Sequence, residues 1–492
     1  MTGTALNLNR SYGVLLLIIC LGALLRFFYL GHQSLWYDEA LSLAIANRLS
    51  LAAILTNQGE SSHPPLYYLL LRLATNWVGV NDFTARLPSA WAGILTIPLL
   101  YRVGRQIAGQ RAGLWSAFFA AVFPFQVYYA QEARMYTLLA LLTSFSLLFF
   151  LKAIRHNRWQ HWLFFGLTLA LGVYTHYFTF FVLLAYHLFL LLYWRRYLTI
   201  WPAILLTDLL LILIFVPQLM NFLGQSQEVF TNYWLGSPSP LALFTTIYFF
   251  VVSFTMLPQW TFVGLFMALS WLALGIFELT WRTKKSAALR RRLVLLCLGV
   301  FTPLLTVMAI SQFKPIFLER TLIICTPFLM VLLAWSVANT HRRSPLPYLV
   351  GILGILLTVS LVRYYFEPSV QKPPLRQAAA FINAQFEPGD MVLHTSVGSF
   401  VPFLFYPMPD APYLLWGDPD PRKTKSAFEQ FGGKIITRDQ LSGQRRVWLV
   451  VELDHSVDYQ LSQVAWFDAT YPLIEEKDIN GVFTRLYEIS GK

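Results

Sequence analysis

Nine carboxylates serve the first 365 residues of this 492-residue chain: Asp38, Glu39, Glu60, Asp82, Glu132, Asp208, Glu228, Glu278 and Glu319. Between them run long segments that are almost wholly apolar. A water-soluble domain carries about 25% charged residues. Here the share is 13%, with 56% hydrophobic residues and a mean hydropathy of +0.53. So much apolar surface and so little charge describe a polytopic membrane protein. The net charge of +12 invites a nucleic-acid partner. The cations, however, sit in short loops between apolar runs, which is where the positive-inside rule puts them.

Eleven runs are long enough to be read as spans, at about 12–30, 85–103, 112–130, 135–152, 161–176, 178–194, 199–222, 261–281, 292–311, 320–338 and 346–365. Loop charges orient them. Arg102, Arg105 and Arg111, then Lys152, Arg155 and Arg158, then Arg195 and Arg196 fall in alternate loops, as do the cations of 282–292 and the pair Arg342-Arg343. These loops belong in the cytoplasm, so the N-terminus is expected inside. Two further segments, His63–Gly79 and Leu241–Pro258, are apolar enough to cross. Counting either one alone would turn the downstream basic loops outward, so both are read as amphipathic or re-entrant helices at the outer surface. Cys20, Cys297 and Cys325 lie inside apolar runs and read as small core residues, not a disulfide framework. Leu17-Ile18-Ile19-Cys20 faintly resembles a lipoprotein cleavage site, but the apolar run continues past it and is read as an uncleaved helix.

Near residue 366 the character changes. Pro373-Pro374 opens a polar stretch in which a helix over about 375–386, a Pro388-Gly389-Asp390 turn and strands at Met391–Thr395, Arg446–Leu453 and Val482–Ile489 are expected. The alternation implies a small α/β domain, placed outside the membrane by the loop charges. The fold class is thus mainly α: about 11 transmembrane helices over 1–365 with helices on the outer face, then an extracytoplasmic α/β domain over 366–492. No internal repeat is visible.

The candidate chemistry lies at the outer ends of the spans. Asp38-Glu39, in Trp36-Tyr37-Asp38-Glu39-Ala40, opens the first outer loop over 31–84. Acids at a helix N-terminus complement its dipole; a carboxylate at a lipid–water boundary can also take a proton from a hydroxyl. His63-Pro64-Pro65-Leu66-Tyr67-Tyr68 starts the second outer helix. Proline in the first turn is ordinary helix initiation and leaves His63 unexplained. Tyr128–Tyr136 forms an outer turn holding Glu132 and Arg134. The two residues are either a solvated ion pair worth little or part of a site in which Arg134 grips a phosphate, since a guanidinium presents a planar fork to two oxygens. Lys314 and Arg320 bring cations to the outer face a second time, as snorkelling anchors or as anion ligands. Tyr174-Thr175-His176-Tyr177 is either an interfacial aromatic belt or a wall of the same cavity. Phosphate-binding loops, dinucleotide fingerprints, zinc patterns and nucleophile elbows are absent in their required contexts. No nucleotide cofactor is therefore expected; the pattern names no metal ligands and leaves a divalent-metal need open, and any activated donor is expected to be carried by a lipid.

The order of WYDEA, HPPLYYLLLRL, GVNDFTARLPSAWAGILTIPLLYRVGR and YYAQEARMYTLL resembles the bacterial membrane glycosyltransferases of the dolichyl-phosphate-mannose-protein mannosyltransferase type, which share the GT-C architecture with the lipid A aminoarabinose transferase. The resemblance covers about 10–340, with FLERTLIICTPFLMVLLAW similar to the family's late arginine segment. It implies a multi-pass protein of the inner (plasma) membrane and a polyprenyl-phosphate sugar as donor. The sugar, hexosyl or pentosyl, would pass with inversion to a lipid, glycan or protein acceptor at the outer face. By motif, Asp38 matches the family's general base or acceptor-orienting acid, and Glu39 its neighbour. Arg134 and Arg320 match arginines that face the lipid phosphate, with Lys314 as a helper. His63, Tyr67, Glu132, Tyr136 and His176 are carried over as cavity residues. Many relatives have Lys or another residue where His63 stands, and the α/β tail differs from the luminal domain of the eukaryotic mannosyltransferases. The competing class is a lipid-linked-sugar flippase or another transporter, for which internal repeats and mid-membrane charges would be expected; Asp208 is the one clearly mid-span acid.

Overall fold

Proline fixes one of the helix ends on which the site depends. The computed structural model describes residues 2–56, 63–232, 236–340, 344–410, 413–415, 431, 434–441, 443–453 and 457–489. In it the run expected as one span over 112–130 is two helices, Gln110–Val122 and Pro124–Ala130. Phe123 between them is extended, with φ −62° and ψ 122°, the conformation forced on a residue before proline. Pro124 has no N–H to give the Ala120 carbonyl. Arg26, only 1% exposed in the helix Thr2–Phe27, supplies the missing donor. Its Nη2 donates to Ala120 O at 2.7 Å and its Nη1 to Ala121 O at 3.1 Å. Gln131 then closes the end of the first helix. Its amide donates to the carbonyls of Leu25, Arg26 and Phe28, and its oxygen accepts from Tyr364 Oη at 2.8 Å. An apolar run therefore ends in a precise turn because two buried polar side chains satisfy the carbonyls that proline and chain reversal expose.

Among the described residues, six helices are long and apolar enough to cross a membrane: Tyr136–His156, Leu198–Gly224, Pro258–Thr283, Ala287–Ser311, Thr321–Ala338 and Leu346–Phe366. Ser11–Phe27, Thr179–Leu192 and Leu241–Val251 are shorter apolar helices. The two segments assigned to the surface by charge are short: Leu66–Val78 has 13 residues and Leu241–Val251 has 11. At about 1.5 Å per residue they reach about 20 and 16 Å, less than a hydrocarbon core of about 30 Å. Small residues let spans close on one another. A Cβ on Gly299 would lie 2.1 Å from the Phe328 ring, so the helices Ala287–Ser311 and Thr326–Ala338 meet with no room for a larger residue.

Backbone contacts divide the chain into two compact units. The first holds Met1–Phe28, His63–Tyr67 and Pro88–Glu367; the second holds Tyr29–Ser62, Tyr68–Leu87 and Pro368–Lys492. The second unit contains a six-stranded sheet of β1 (Asp390–His394), β2 (Tyr413–Leu415), β3 (Lys434–Ile436), β4 (Arg446–Glu452), β5 (Leu473–Ile479) and β6 (Val482–Glu488), in the order β3-β2-β1-β4-β6-β5. The first four run parallel, and β6 and β5 are antiparallel additions. Every residue of β1 is buried, as expected of a parallel strand covered on both faces. The edge strand β5 is mostly exposed and carries Glu475, Glu476, Lys477 and Asp478, charges that discourage pairing with another chain. Gly389 turns into β1 with φ +93°, where a side chain would be strained. Asp390 is gripped by Arg446 at 2.8 and 2.6 Å and by Trp448 Nε1 at 3.1 Å. Burial pushes its pKa up, but these bonds and the Glu387 N–H outweigh that and hold it below the usual range.

Candidate active site

Within the first unit, four separate chain segments bring nitrogen side chains together. Arg134 ends the turn before the helix Tyr136–His156 and is 4% exposed. Its carbonyl accepts from Ser89 Oγ at 2.9 Å, and Ser89 Oγ in turn bonds Tyr67 Oη at 2.9 Å. Tyr67 is fully buried and so supports the Arg134 turn from behind. Arg134 Nη2 lies 3.0 Å from His63 Nε2. A guanidinium can only donate, so His63 accepts through Nε2 and carries its proton on Nδ1. The His63 segment is tied down by Leu66 N donating to Tyr174 O at 3.0 Å. The same turn presents His176, whose ring centroid is 5.1 Å from that of His63.

His176 accepts from Phe178 N through Nδ1 at 3.1 Å, which leaves the proton of the neutral ring on Nε2. That Nε2 is buried and has no hydrogen-bond partner among the described residues. Desolvation first, then Arg134 and Arg320, push the His176 pKa down to about 3. Desolvation, Arg134, His176 and Arg320 likewise hold His63 well below 6.5. Both imidazoles are therefore neutral at physiological pH. Tyr136, 1% exposed, is shared by the two guanidinium groups: the Cζ atoms of Arg134 and Arg320 are each 5.8 Å from its ring centroid, within cation–π range. Tyr129 meets Tyr136 edge-on at 5.3 Å. Glu132 is 1% exposed, and its carbonyl accepts from Arg134 N at 2.8 Å. Lys314 is half-buried in the turn after the helix Ala287–Ser311.

The second unit holds the acidic pair. The helix expected to begin at Asp38-Glu39 runs Tyr37–Arg48, and Trp36 caps it without a side-chain bond. Glu39 is 0% exposed and bidentate with Arg86, Nε to Oε1 and Nη2 to Oε2, both at 2.8 Å. Lys372 Nζ lies 2.9 Å from the same carboxylate. Arg86 also donates to the carbonyls of Leu30, Gln33 and Ser34, so it shapes the turn ahead of the helix. Asp82 is a second such centre, accepting from Leu35 N at 3.1 Å, Tyr406 Oη at 2.9 Å and Arg376 Nη1 at 2.7 Å. Asp38 is half-buried and its carbonyl accepts from Ser42 Oγ at 2.8 Å. Arg86, Lys372, Asp82 and Arg376 are absent from the candidates drawn from sequence. One signal was available: a carboxylate in so apolar a chain needs a cation partner, and Arg86 lies within a quoted motif. Among the described residues, no group of three or more His, Cys, Asp or Glu could hold a metal ion.

Residues 62–220 match the model of the dolichyl-phosphate-mannose-protein mannosyltransferase family. No curated protein matches the chain. Among solved structures, ArnT from Cupriavidus metallidurans in the apo state has a TM-score of 0.65 at 13% identity, over 97% of this chain and 98% of that one. The same protein bound to undecaprenyl phosphate gives 0.65 at 14%, over 96% and 98%. The Archaeoglobus fulgidus oligosaccharyltransferase gives 0.54 at 13%, over 96% of this chain and 72% of that one. The chain thus shares the fold of ArnT over nearly its whole length, and its residues 62–220 are similar to the dolichyl-phosphate-mannose-protein mannosyltransferase family.

Proposed function

We propose that this chain is an integral membrane glycosyltransferase that moves a sugar from a polyprenyl-phosphate-linked donor to an acceptor at the outer membrane face, with inversion. The observation that carries the reading is the convergence of Arg134, Arg320, His63 and His176 around Tyr136. Two guanidinium forks suit the oxygens of a phosphate, and the buried Nε2–H of His176 offers a further donor. The fold shared with a protein whose structure holds undecaprenyl phosphate supports the same donor class. Eleven crossings, an N-terminus in the cytoplasm and the α/β domain outside belong to this reading and rest on the loop charges.

In the proposed reaction an acceptor hydroxyl or amine gives its proton to the Asp38 carboxylate. The new bond forms at the anomeric carbon from the face opposite the phosphate. The bond from that carbon to the phosphate oxygen breaks, and the phosphate leaves with the electron pair. Arg134 and Arg320 stabilise the charge that builds there, as preorganised donors do. Asp38 is assigned the base by its motif, while Glu39 is committed to Arg86 and Lys372. The test uses the purified full-length protein with a defined polyprenyl-phosphate sugar. Asp38→Asn lowers transfer about 100- to 10,000-fold with donor binding intact. Arg134→Ala weakens donor binding about 10- to 100-fold, the worth of one or two hydrogen bonds to a charged group. Near wild-type transfer by Asp38→Asn removes Asp38 from the mechanism; unchanged donor affinity in Arg134→Ala removes the phosphate site.

A further inference from the structure

At the opposite ends of two helices that help form the nitrogen cluster lies a cavity of about 380 Å³, lined by Arg102, Arg105, Gln106, Leu148, Lys152, Arg155 and His156. Its volume falls within the range of small-molecule sites. The lining comes from the last turns of the helices Asp82–Ala108 and Tyr136–His156. Four cations face one concavity, and among the described residues no carboxylate lines it. Arg102 and Arg105, like Lys152 and Arg155, are three residues apart on one helix, a spacing at which like charges repel. The positive-inside rule asks for cations somewhere in a loop; it does not ask them to converge on one pocket.

We propose that this pocket binds the phosphate of an anionic membrane-lipid head group, independently of the sugar donor. A phosphate placed among the four cations relieves their repulsion and gains hydrogen bonds from the guanidinium groups. The lipid source is favoured by what lies beneath the charged ring. Leu148 forms a buried part of the wall. Lys152 Nζ sits 5.2 Å from the Phe149 ring centroid, and Phe149 stacks at 5.1 Å on Phe164, which is 45% exposed. An apolar track therefore leads from the cations along the helix Trp159–Val173, where acyl chains can lie while the phosphate stays in the pocket.

The test is native mass spectrometry of the purified full-length protein, titrated with phosphatidylglycerol or phosphatidylcholine of matched chains, with and without excess inorganic phosphate. The wild type retains phosphatidylglycerol in preference to phosphatidylcholine. Arg102→Gln with Arg155→Gln lowers that retention about 30-fold, the effect of two surface cations. Arg102→Lys with Arg155→Lys preserves it, and so does Arg195→Gln with Arg196→Gln, which removes equal charge from another basic loop. Equal retention by the Arg102/Arg155 glutamine variant overturns the proposal. An equal loss in the Arg195/Arg196 variant also overturns it, because general charge then explains the effect. Displacement of phosphatidylglycerol by inorganic phosphate overturns the lipid assignment in favour of a soluble anion.

Discussion

Glu39 and Arg134 are both charged side chains withdrawn from solvent, 0% and 4% exposed, and their surroundings differ in kind. Glu39 faces a bidentate arginine and a lysine, and Arg86 spends its remaining protons on three backbone carbonyls. That arrangement is closed: each charge is met by another and the turn is fixed around them. Arg134 donates to a neutral imidazole and shares the Tyr136 ring with a second arginine. Burial first, and then the charges of Arg134 and Arg320, depress His63 and His176. Of two buried charged clusters, the one around Glu39 fixes the loop through a bidentate ion pair, and the one around Arg134 sets two guanidinium groups and the buried Glu132 among imidazole and phenol rings.

The contrast breaks most visibly at Glu39. Glu39→Ala leaves Arg86 and Lys372 without their carboxylate, and removing one partner of a buried ion pair costs about 3–5 kcal/mol. The expected result is a large drop in the thermal midpoint of the detergent-purified protein. A midpoint near wild type would show that Glu39 is not structural.

Acid tests the other cluster. His63 and His176 are neutral in the folded protein because their pKa values lie below 6.5, with His176 at about 3. The unfolded chain therefore binds more protons than the folded one between about pH 6.5 and 3, so stability is full above that window and falls as pH drops through it. His176→Asn keeps an acceptor for Phe178 N and removes one titrating ring. Its midpoint should decline less between pH 6.5 and 4 than the wild-type midpoint. Parallel declines would mean that His176 does not set the acid sensitivity.

The smallest effect belongs to the support beneath Arg134. Ser89→Ala cuts the link from Tyr67 Oη to the Arg134 carbonyl. A lost neutral hydrogen bond costs about 1 kcal/mol, so the midpoint should move by a few degrees while donor affinity falls. Donor affinity unchanged at a lowered midpoint would separate the Tyr67–Ser89 link from the site.

Local chemistry was readable from the sequence where a short pattern determines it. The helix at the acidic pair starts at Tyr37, one residue before the expected acids, and β1, β4 and β6 fall within about a residue of their expected positions because burial and turn residues fix them. The break at Phe123 was missed since a single proline is easily hidden inside an apolar run. The partners of Glu39 were also missed: Arg86 is 47 positions away and Lys372 lies in the C-terminal half, and no local pattern ties them to it. The same holds for His63 and Arg134, 71 positions apart. Strand alternation announced a sheet, yet the order β3-β2-β1-β4 depends on crossovers that propensity does not encode.

The Arg26 guanidinium carries a consequence for biogenesis. Its acceptors on Ala120 and Ala121 follow it by 94 and 95 positions. At about 5–20 residues per second of synthesis, the first helix waits about 5–20 seconds for them. Throughout that interval the side chain has to stretch toward the membrane interface to stay hydrated. Its move inward, once the Pro124 break exists, is a late docking step that joins the earliest helix to a turn made much later.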